Sequence, residues 1–125
     1  MYRDLLKNCT PHPISIVQRD GSTLTIPPSG ELARVSTVES PPGDLDGVMV
    51  IRREFGEVTI PDPPTVDVGD GAELVVGWII VSSLVLEAAK TTRHHLLGRL
   101  LAPDTGPSAI REGGQVVAVR QMVKV

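Results

Sequence analysis

Prolines and glycines interrupt this sequence so frequently that no regular segment can be long. The 125 residues include 12 glycines and 11 prolines, which are spread over most of the chain. Proline lacks the backbone N–H that helix interiors and central strands use, and glycine favours turns. The composition therefore predicts many turns and short elements rather than a helical bundle. A chain of this length fits one domain, so we expect a single domain over residues 1–125.

Alternating apolar residues predict short strands between these breaks. The clearest pattern is a β-hairpin over residues 14–26, in which Asp20 and Gly21 lie in the turn. We expect about seven to nine short strands, with the run 74–81 as the most apolar one and residues 67–71 as a loop. The other predicted strands are residues 31–38, a buried run at 48–51, residues 55–60, and a closing pair at 116–119 and 122–125.

One segment has the features of a helix. Ser82 or Ser83 is a candidate N-cap, and strong helix formers follow it. The spacing places Leu84 and Ala88 on one face and leaves open whether the helix continues through residues 93–101. The sequence thus predicts an α+β, β-rich fold, a single compact domain of short antiparallel strands with one helix starting near Ser82.

Composition argues against several classes of function. The net charge is −3 at pH 7, whereas binding of nucleic acid polymers requires an excess of basic residues. Tyr2, Phe55 and Trp78 are the only aromatic residues available to stack on bases. The single cysteine, Cys9, excludes an intramolecular disulfide and a thiolate metal cluster. No apolar run is long enough to span a membrane and the N-terminus lacks a secretion signal, so we expect a cytoplasmic protein without membrane partners.

Charge is distributed unevenly along the chain. Residues 39–73 carry two basic and nine acidic side chains, whereas residues 74–125 carry six basic and three acidic ones. An acidic segment of this kind is a candidate surface for a protein partner. The apolar run 74–81 and the C-terminal strands offer surface that one helix does not cover, and an exposed strand edge favours pairing between copies. We therefore expect a homo-oligomer.

Two motifs are candidates for hydrolytic chemistry. Cys9 and His12 lie three residues apart, as a thiol nucleophile and its base can. No acidic residue nearby orients the ring, and a lone cysteine before a strand is usually buried packing. Asp104, Thr105 and Gly106 match the triplet of aspartic proteases, but the flanking prolines fit an Asx turn better. We expect a protein that is not an enzyme and keep a small hydrolase using Cys9 or Asp104 as an alternative.

The histidines do not have the spacing of a metal site. His94 and His95 are adjacent, so on a helix their side chains point about 100° apart, and His12 is distant in sequence. A position near a helix end, where the helix dipole favours a cationic ring, explains the adjacent pair better. We expect neither a metal nor a cofactor.

The start of the predicted helix is the strongest candidate for ligand binding. Free N–H groups at a helix N-terminus bind anions, and the hydroxyls of Ser82 and Ser83 add donors. Capping by these serines is the alternative, and no glycine-rich loop or P-loop lysine is present. Arginines at three positions are candidates to neutralise a phosphate, unless they pair with nearby glutamates: Arg52, Arg53 and Arg111.

A series of short motifs runs in order through residues 8–123. Its members are Asn8-Cys9-Thr10-Pro11-His12-Pro13-Ile14, Pro28-Ser29-Gly30, Ala33-Arg34-Val35, Arg53-Glu54-Phe55-Gly56-Glu57-Val58, Ile80-Val81-Ser82-Ser83-Leu84-Val85, Ala102-Pro103-Asp104-Thr105-Gly106-Pro107, Ile110-Arg111 and Val117-Ala118-Val119-Arg120. In this series the chain resembles a family of small uncharacterised phage, prophage and bacterial proteins with an N-terminal Asn-Leu-Thr-Pro-His-Pro-like motif. Cys9 stands where leucine is typical. The resemblance implies a phage setting and supplies no activity.

These observations lead to one functional hypothesis and two alternatives. In a phage setting we expect a non-enzymatic protein that sequesters a small anionic ligand, a signalling nucleotide of host defence, in the bacterial cytoplasm. One alternative is an interaction or virion-associated protein that binds a protein partner through residues 39–73, and the other is the small hydrolase. The candidate ligand-binding residues are His12, Arg52, Arg53, Ser82, Ser83, Thr105 and Arg111.

Overall fold

The computed structural model describes residues 5–125 as short strands and a single α-helix, which confirms the β-rich α+β class. The number of strands is larger than expected, because hairpins form at residues 43–50 and 65–75. The elements are β1 Leu6–Asn8, β2 Ile14–Val17, β3 Thr23–Ile26, β4 Arg34–Glu39, β5 Gly43–Leu45, β6 Val48–Val50, β7 Arg53–Thr59, β8 Thr65–Gly69, β9 Ala72–Val75, β10 Trp78–Ile80, α1 Ser83–Thr92, a 3-10 helix Leu97–Arg99, β11 Leu100–Pro103, β12 Ile110–Glu112, β13 Gln115–Ala118 and β14 Met122–Lys124.

A four-stranded sheet in the order β1-β10-β11-β14 organises the chain. β1, β10 and β11 are parallel to one another, and only β14 is antiparallel to its neighbour. Asn8 lies opposite Ile80, and Ile80 lies opposite Leu101, so the three parallel strands end together. We call this end the carboxyl edge. The antiparallel strands that the sequence predicts are found mainly in the surrounding two-stranded hairpins.

Helix α1 connects β10 to β11 and begins at the predicted serine. Ser82 is the N-cap, and its Oγ accepts a hydrogen bond of 3.2 Å from the Val85 amide. The helix ends at Thr92, because Arg93 adopts the left-handed conformation with φ of 53° and its amide bonds back to the last turn. Residues 93–101 therefore do not continue it.

The buried face of α1 agrees only in part with the predicted one. Ala88 is fully buried as expected, but Leu84 is 54% exposed. Val85, Leu86 and Ala89 pack into the core with one face of the sheet. The core residues on this side are Cys9, Ile79, Val81, Val85, Leu86, Ala89, Leu100 and Ala102.

The apolar run 74–81 is not one strand. It is divided between β9 and β10, and Leu74 is exposed. The break falls at Gly77, where a Cβ atom would lie 2.5 Å from the Pro64 ring and 2.8 Å from the Leu5 carbonyl oxygen. This close approach requires glycine. β9 turns back to pair with β8, so residues 67–71 belong to a hairpin rather than a loop.

The C-terminal strands also pair differently from the prediction. β13 pairs with β12 across the Gly113–Gly114 turn, while β14 joins the central sheet beside β11. The predicted pairing between residues 116–119 and 122–125 is therefore absent. The hairpin β2–β3 is confirmed at its predicted bounds, and it contacts the end of β13 through a hydrogen bond of 2.8 Å from the Val17 amide to the Val119 carbonyl.

A long two-stranded ribbon, residues 34–59, projects from this framework, and we call it the arm. β4 pairs with β7 at its root, and β5 pairs with β6 at its tip. Val35 and Val58 pack against the core, whereas the tip is exposed throughout. The first residue pair of the arm is Arg34 with Thr59, and the last is Leu45 with Val48. At about 3.3 Å per residue, fully extended strands between these pairs would span about 36 Å. The prediction of a buried strand at 48–51 is therefore wrong.

We expect Ser82→Ala to lower the free energy of unfolding by about 1 kcal/mol, because the Val85 amide loses its acceptor. Ser83→Ala is the matched control, since Ser83 is exposed at the first helical position, and it should change stability by less than about 0.5 kcal/mol. Urea denaturation followed by circular dichroism measures both. Equal effects of the two substitutions would contradict the assignment of Ser82 as the cap.

Candidate functional site

Three loops meet at the carboxyl edge of the central sheet. They follow β1, β10 and β11, and backbone hydrogen bonds join them just beyond the strands. The Cys9 amide donates to the Ile80 carbonyl at 2.9 Å, and the Val81 amide donates to the Leu101 carbonyl at 2.8 Å. Ligands of sheets with parallel strands bind outside such an edge. This edge is therefore the first candidate site.

The side chain of Asn8 organises the loop after β1. It is buried, and its Nδ2 donates to the carbonyls of His12 at 2.9 Å and Ile26 at 3.1 Å. Its Oδ1 accepts from the Thr10 amide at 3.0 Å and the Thr10 hydroxyl at 2.7 Å. These four hydrogen bonds use the donors and acceptor of the amide fully. The Asn-Cys-Thr-Pro-His-Pro motif thus has a structural explanation.

Cys9 lies in the core rather than in an open pocket. Its Sγ is 3.9 Å from the Ser29 Oγ, and burial raises the pKa of the thiol. A nucleophilic cysteine requires the opposite shift, because the thiolate is the reactive form. His12 is exposed, and only its carbonyl takes part in the loop network. Among residues 5–125, the Cys9 thiol has Ser29 as its hydrogen-bond partner, and neither a histidine nor a carboxylate bonds to it.

Asp104 and Arg111 hold the loop after β11. Asp104 accepts from the Gln121 side chain at 2.6 Å and from the Gly106 amide at 2.9 Å, and the hydrogen bond from Gln121 is the main reason that the pKa of Asp104 is lowered. Arg111 donates to the carbonyls of Thr105 at 2.7 Å and Gly106 at 3.2 Å. These contacts match the predicted Asx turn. They leave an ionised Asp104 without a second catalytic carboxylate beside it among the described residues.

The residues predicted for anion binding are only partly brought together. His12, Ser83 and Thr105 are exposed on the three loops of the carboxyl edge. The Ser82 hydroxyl caps the helix, while the amides of Ser83 and Leu84 belong to the first turn, where no intrahelical acceptor exists. The N-terminus of α1, the hydroxyls of Ser83 and Thr105 and the imidazole of His12 therefore all lie on the side of the carboxyl edge.

The two arginines of the arm lie elsewhere. Arg53 pairs with Glu39 through an Nε–Oε1 contact of 2.6 Å, and Arg52 approaches Glu54 at 3.8 Å. The Glu39–Arg53 pair lies five positions along the arm from its root pair, about 17 Å away. These arginines belong to the ribbon beyond the part that packs on the core, so they do not complete a site at Ser82.

A cleft of about 220 Å³, which the sequence did not predict, opens between the β2–β3 hairpin and β13. Its walls are mainly apolar and come from three segments that are distant in sequence, so no local sequence motif predicts the cleft. Arg111 lies at its border, since it is opposite Val116 in the β12–β13 register and bonds to Thr105. The lining residues are Pro13, Ile14, Ser15, Pro103, Thr105, Val116, Val117, Ala118 and Val119.

His94 and His95 stack on each other after the helix, with ring centroids 4.5 Å apart. Nδ1 of His94 accepts a hydrogen bond from the Leu96 amide at 3.1 Å, and burial lowers its pKa, which favours the neutral ring. Within residues 5–125, no three side chains among histidine, cysteine, aspartate and glutamate form a group that could hold a metal ion.

Comparisons with protein-family models, curated proteins and solved structures found no match for this chain. Among residues 5–125, no helix has the length and apolar character needed to cross a membrane.

We expect Asn8→Asp to destabilise the protein by about 3 kcal/mol or more. The substitution keeps the shape of the side chain but removes both donors and places a charge against the carbonyls of His12 and Ile26. Thr10→Val removes a single hydroxyl beside the same group and should cost about 1 kcal/mol. Thermal and urea unfolding measure both, and an Asn8→Asp protein as stable as the wild type would refute the role given to this amide.

Proposed function

We propose that this protein is an interaction module that binds a protein surface through its arm. The supporting observation is the exposure of large apolar side chains at the arm tip. Met49 is 75% exposed, Leu45 is 64% exposed and Val48 is 62% exposed. Val38, Val50 and Ile51 add to the same exposed set. Large apolar side chains that a folded domain leaves exposed in one region mark an interaction site.

The construction of the arm supports the same proposal. Its strands form two-stranded sheets only, and no third strand pairs with them in the part of the chain that the structure describes. An isolated hairpin is marginally stable in water, and packing against another surface stabilises it. Only the root of the arm has such packing, at Val35 and Val58. A partner that covers the tip would supply the stabilising packing that the tip lacks.

The charge of the arm region indicates the kind of surface it fits. Residues 39–73 combine two basic with nine acidic side chains, and Asp44 and Asp46 flank the exposed Leu45. Apolar side chains surrounded by carboxylates fit an apolar depression bordered by basic residues. The acidic character also makes binding to nucleic acid or to an anionic membrane surface unfavourable.

A photo-crosslinking residue in place of Met49 tests this proposal in the cells that contain the protein. We expect discrete covalent adducts on illumination, because the tip lies against a protein partner. The same residue in place of Val68, which is 59% exposed on β8 and outside the arm, should give none. Absence of adducts at position 49, or equal adducts at both positions, would overturn the proposal.

We propose binding of a small anion at the carboxyl edge as a second candidate function. The supporting observation is that His12, Ser83 and Thr105 follow strands that end at this edge, where the start of α1 also provides donors for phosphate oxygens. Arg111 borders the same loop but already donates to two carbonyls. The resemblance to phage proteins makes a signalling nucleotide of host defence the first ligand to test.

A thermal-shift screen against cyclic and linear nucleotides tests this second candidate. A ligand that binds the native state alone adds about 2.7 kcal/mol at a hundred times its Kd, which raises Tm by several degrees. Ser83→Asp should abolish the shift by placing a carboxylate at the donors, while Thr23→Asp leaves it intact. A screen without any shift in the wild-type protein would refute nucleotide binding.

A further inference from the structure

We propose that the partner of the arm is a second copy of this chain, and that the arm tip of one copy occupies the cleft between β2–β3 and β13 of the next. This inference rests on the proposed function of the arm. It names both the receptor surface and the side chain that enters it. Met49 is the inserting residue, and Val116 and Val117 are the exposed walls that receive it. Leu45 lies on the opposite face of the hairpin, because it pairs with Val48 whereas Met49 pairs with Asp44.

The dimensions of the cleft support an apolar side chain as its occupant. Its volume of about 220 Å³ is below the roughly 300–1,000 Å³ of sites that enclose small-molecule ligands. Ser15 and Thr105 are the only side chains with hydroxyls in its lining, and the remainder is aliphatic or proline. A nucleotide would find neither sufficient space nor charge neutralisation inside it. A leucine or methionine side chain matches both its size and its character.

Charge complementarity supports the arm tip as the occupant of the cleft. Asp44 and Asp46 lie on either side of Leu45, and Asp44 already accepts the Gly47 amide of the turn at 2.8 Å. At the receptor, Arg111 bonds to the lining residue Thr105, and Arg120 directly follows the lining residue Val119 and is exposed. The acidic tip therefore meets an apolar cleft with arginines at its border.

The contact is heterologous, because it joins two different surfaces. A copy whose arm occupies the cleft of a neighbour still has its own cleft free for the arm of a third copy. Repetition of this contact therefore generates a closed ring or an open chain of subunits. The side chain of Met49, which is 75% exposed in one copy, is then covered by assembly.

Sedimentation velocity and crosslink mapping test this arrangement on the full chain. We expect a species of at least twice the 13.3 kDa chain mass at micromolar concentration. Adducts formed at position 49 should have that doubled mass, and peptide mapping should locate them in residues 13–15, 103–105 or 116–119. A purified protein that stays monomeric would overturn the inference.

Paired substitutions identify the two surfaces. Met49→Asp in the arm and Val117→Asp in the cleft should each raise the Kd of self-association at least about tenfold. Val68→Asp is the matched control, since Val68 on β8 is 59% exposed, between Val117 at 45% and Met49 at 75%, and lies outside both surfaces. It should leave Kd unchanged. Circular dichroism and Tm verify that each variant is folded.

Charge reversal tests the pairing itself. Arg120→Glu and Asp46→Lys should each weaken association at least about tenfold, and the double variant should recover most of it, because each arm then meets a cleft of opposite charge. Arg19→Glu, in the β2–β3 turn, is the control because it changes the charge by the same amount as Arg120→Glu. It should leave the Kd of self-association unchanged. Failure of the double variant to recover would overturn the proposed pairing.

The outcomes distinguish this inference from the proposed function. If Met49→Asp weakens association but Val117→Asp and Arg120→Glu do not, the arm binds protein elsewhere, and only the inference is wrong. Adducts at position 49 that contain other proteins and never a second copy lead to the same conclusion. If position 49 gives no adduct at all, both proposals are wrong.

Discussion

The buried amide of Asn8 is the interaction on which the carboxyl edge depends. A buried polar group without partners is costly, and this one satisfies its needs by joining β1, the loop through His12 and the last residue of β3. The Asn8 carbonyl also accepts from the Ser29 amide at 2.9 Å, and the Cys9 carbonyl accepts from the Ala33 amide at 2.9 Å. The root of the arm is thus attached to the same corner. The Asn8 side chain therefore fixes the hairpin, and the backbone carbonyls of Asn8 and Cys9 fix the root of the arm.

The core formed around this corner is small, and much of the apolar surface of the chain lies outside it. Helix α1 and one face of the sheet bury a compact cluster, while the arm, the β8–β9 hairpin and the C-terminal strands keep valines and leucines exposed. Many of the polar residues that looked functional in the sequence serve this framework instead. Ser82 caps, Asp104 and Arg111 hold a loop, and Arg53 pairs along the arm. The surface outside this framework includes exposed apolar side chains and the acidic residues 39–73.

Local features were predictable from the sequence because neighbouring residues determine them. The Asp20–Gly21 turn forms where expected, with Asp20 accepting the Ser22 amide at 2.9 Å and Gly21 at φ of 87°. The helix begins at Ser82 for the same reason, since an N-cap acts on an amide three residues away. The acidic character of residues 39–73 also follows from residue types alone. Fold class and the starting points of elements are therefore properties of the sequence itself.

Tertiary structure decided which strands pair and which apolar residues are covered. The parallel alignment of β1, β10 and β11 brings together segments separated by about seventy residues, and no local pattern specifies that partner choice. Residues 48–51 and Leu74 have the character of a buried strand, yet the structure leaves them exposed because no element packs on them. Burial of an apolar side chain lowers the free energy of the protein. Whether a given side chain is buried depends on how the rest of the molecule is arranged around it. The cleft beside β13 has the same origin, since its walls meet only after the chain has folded.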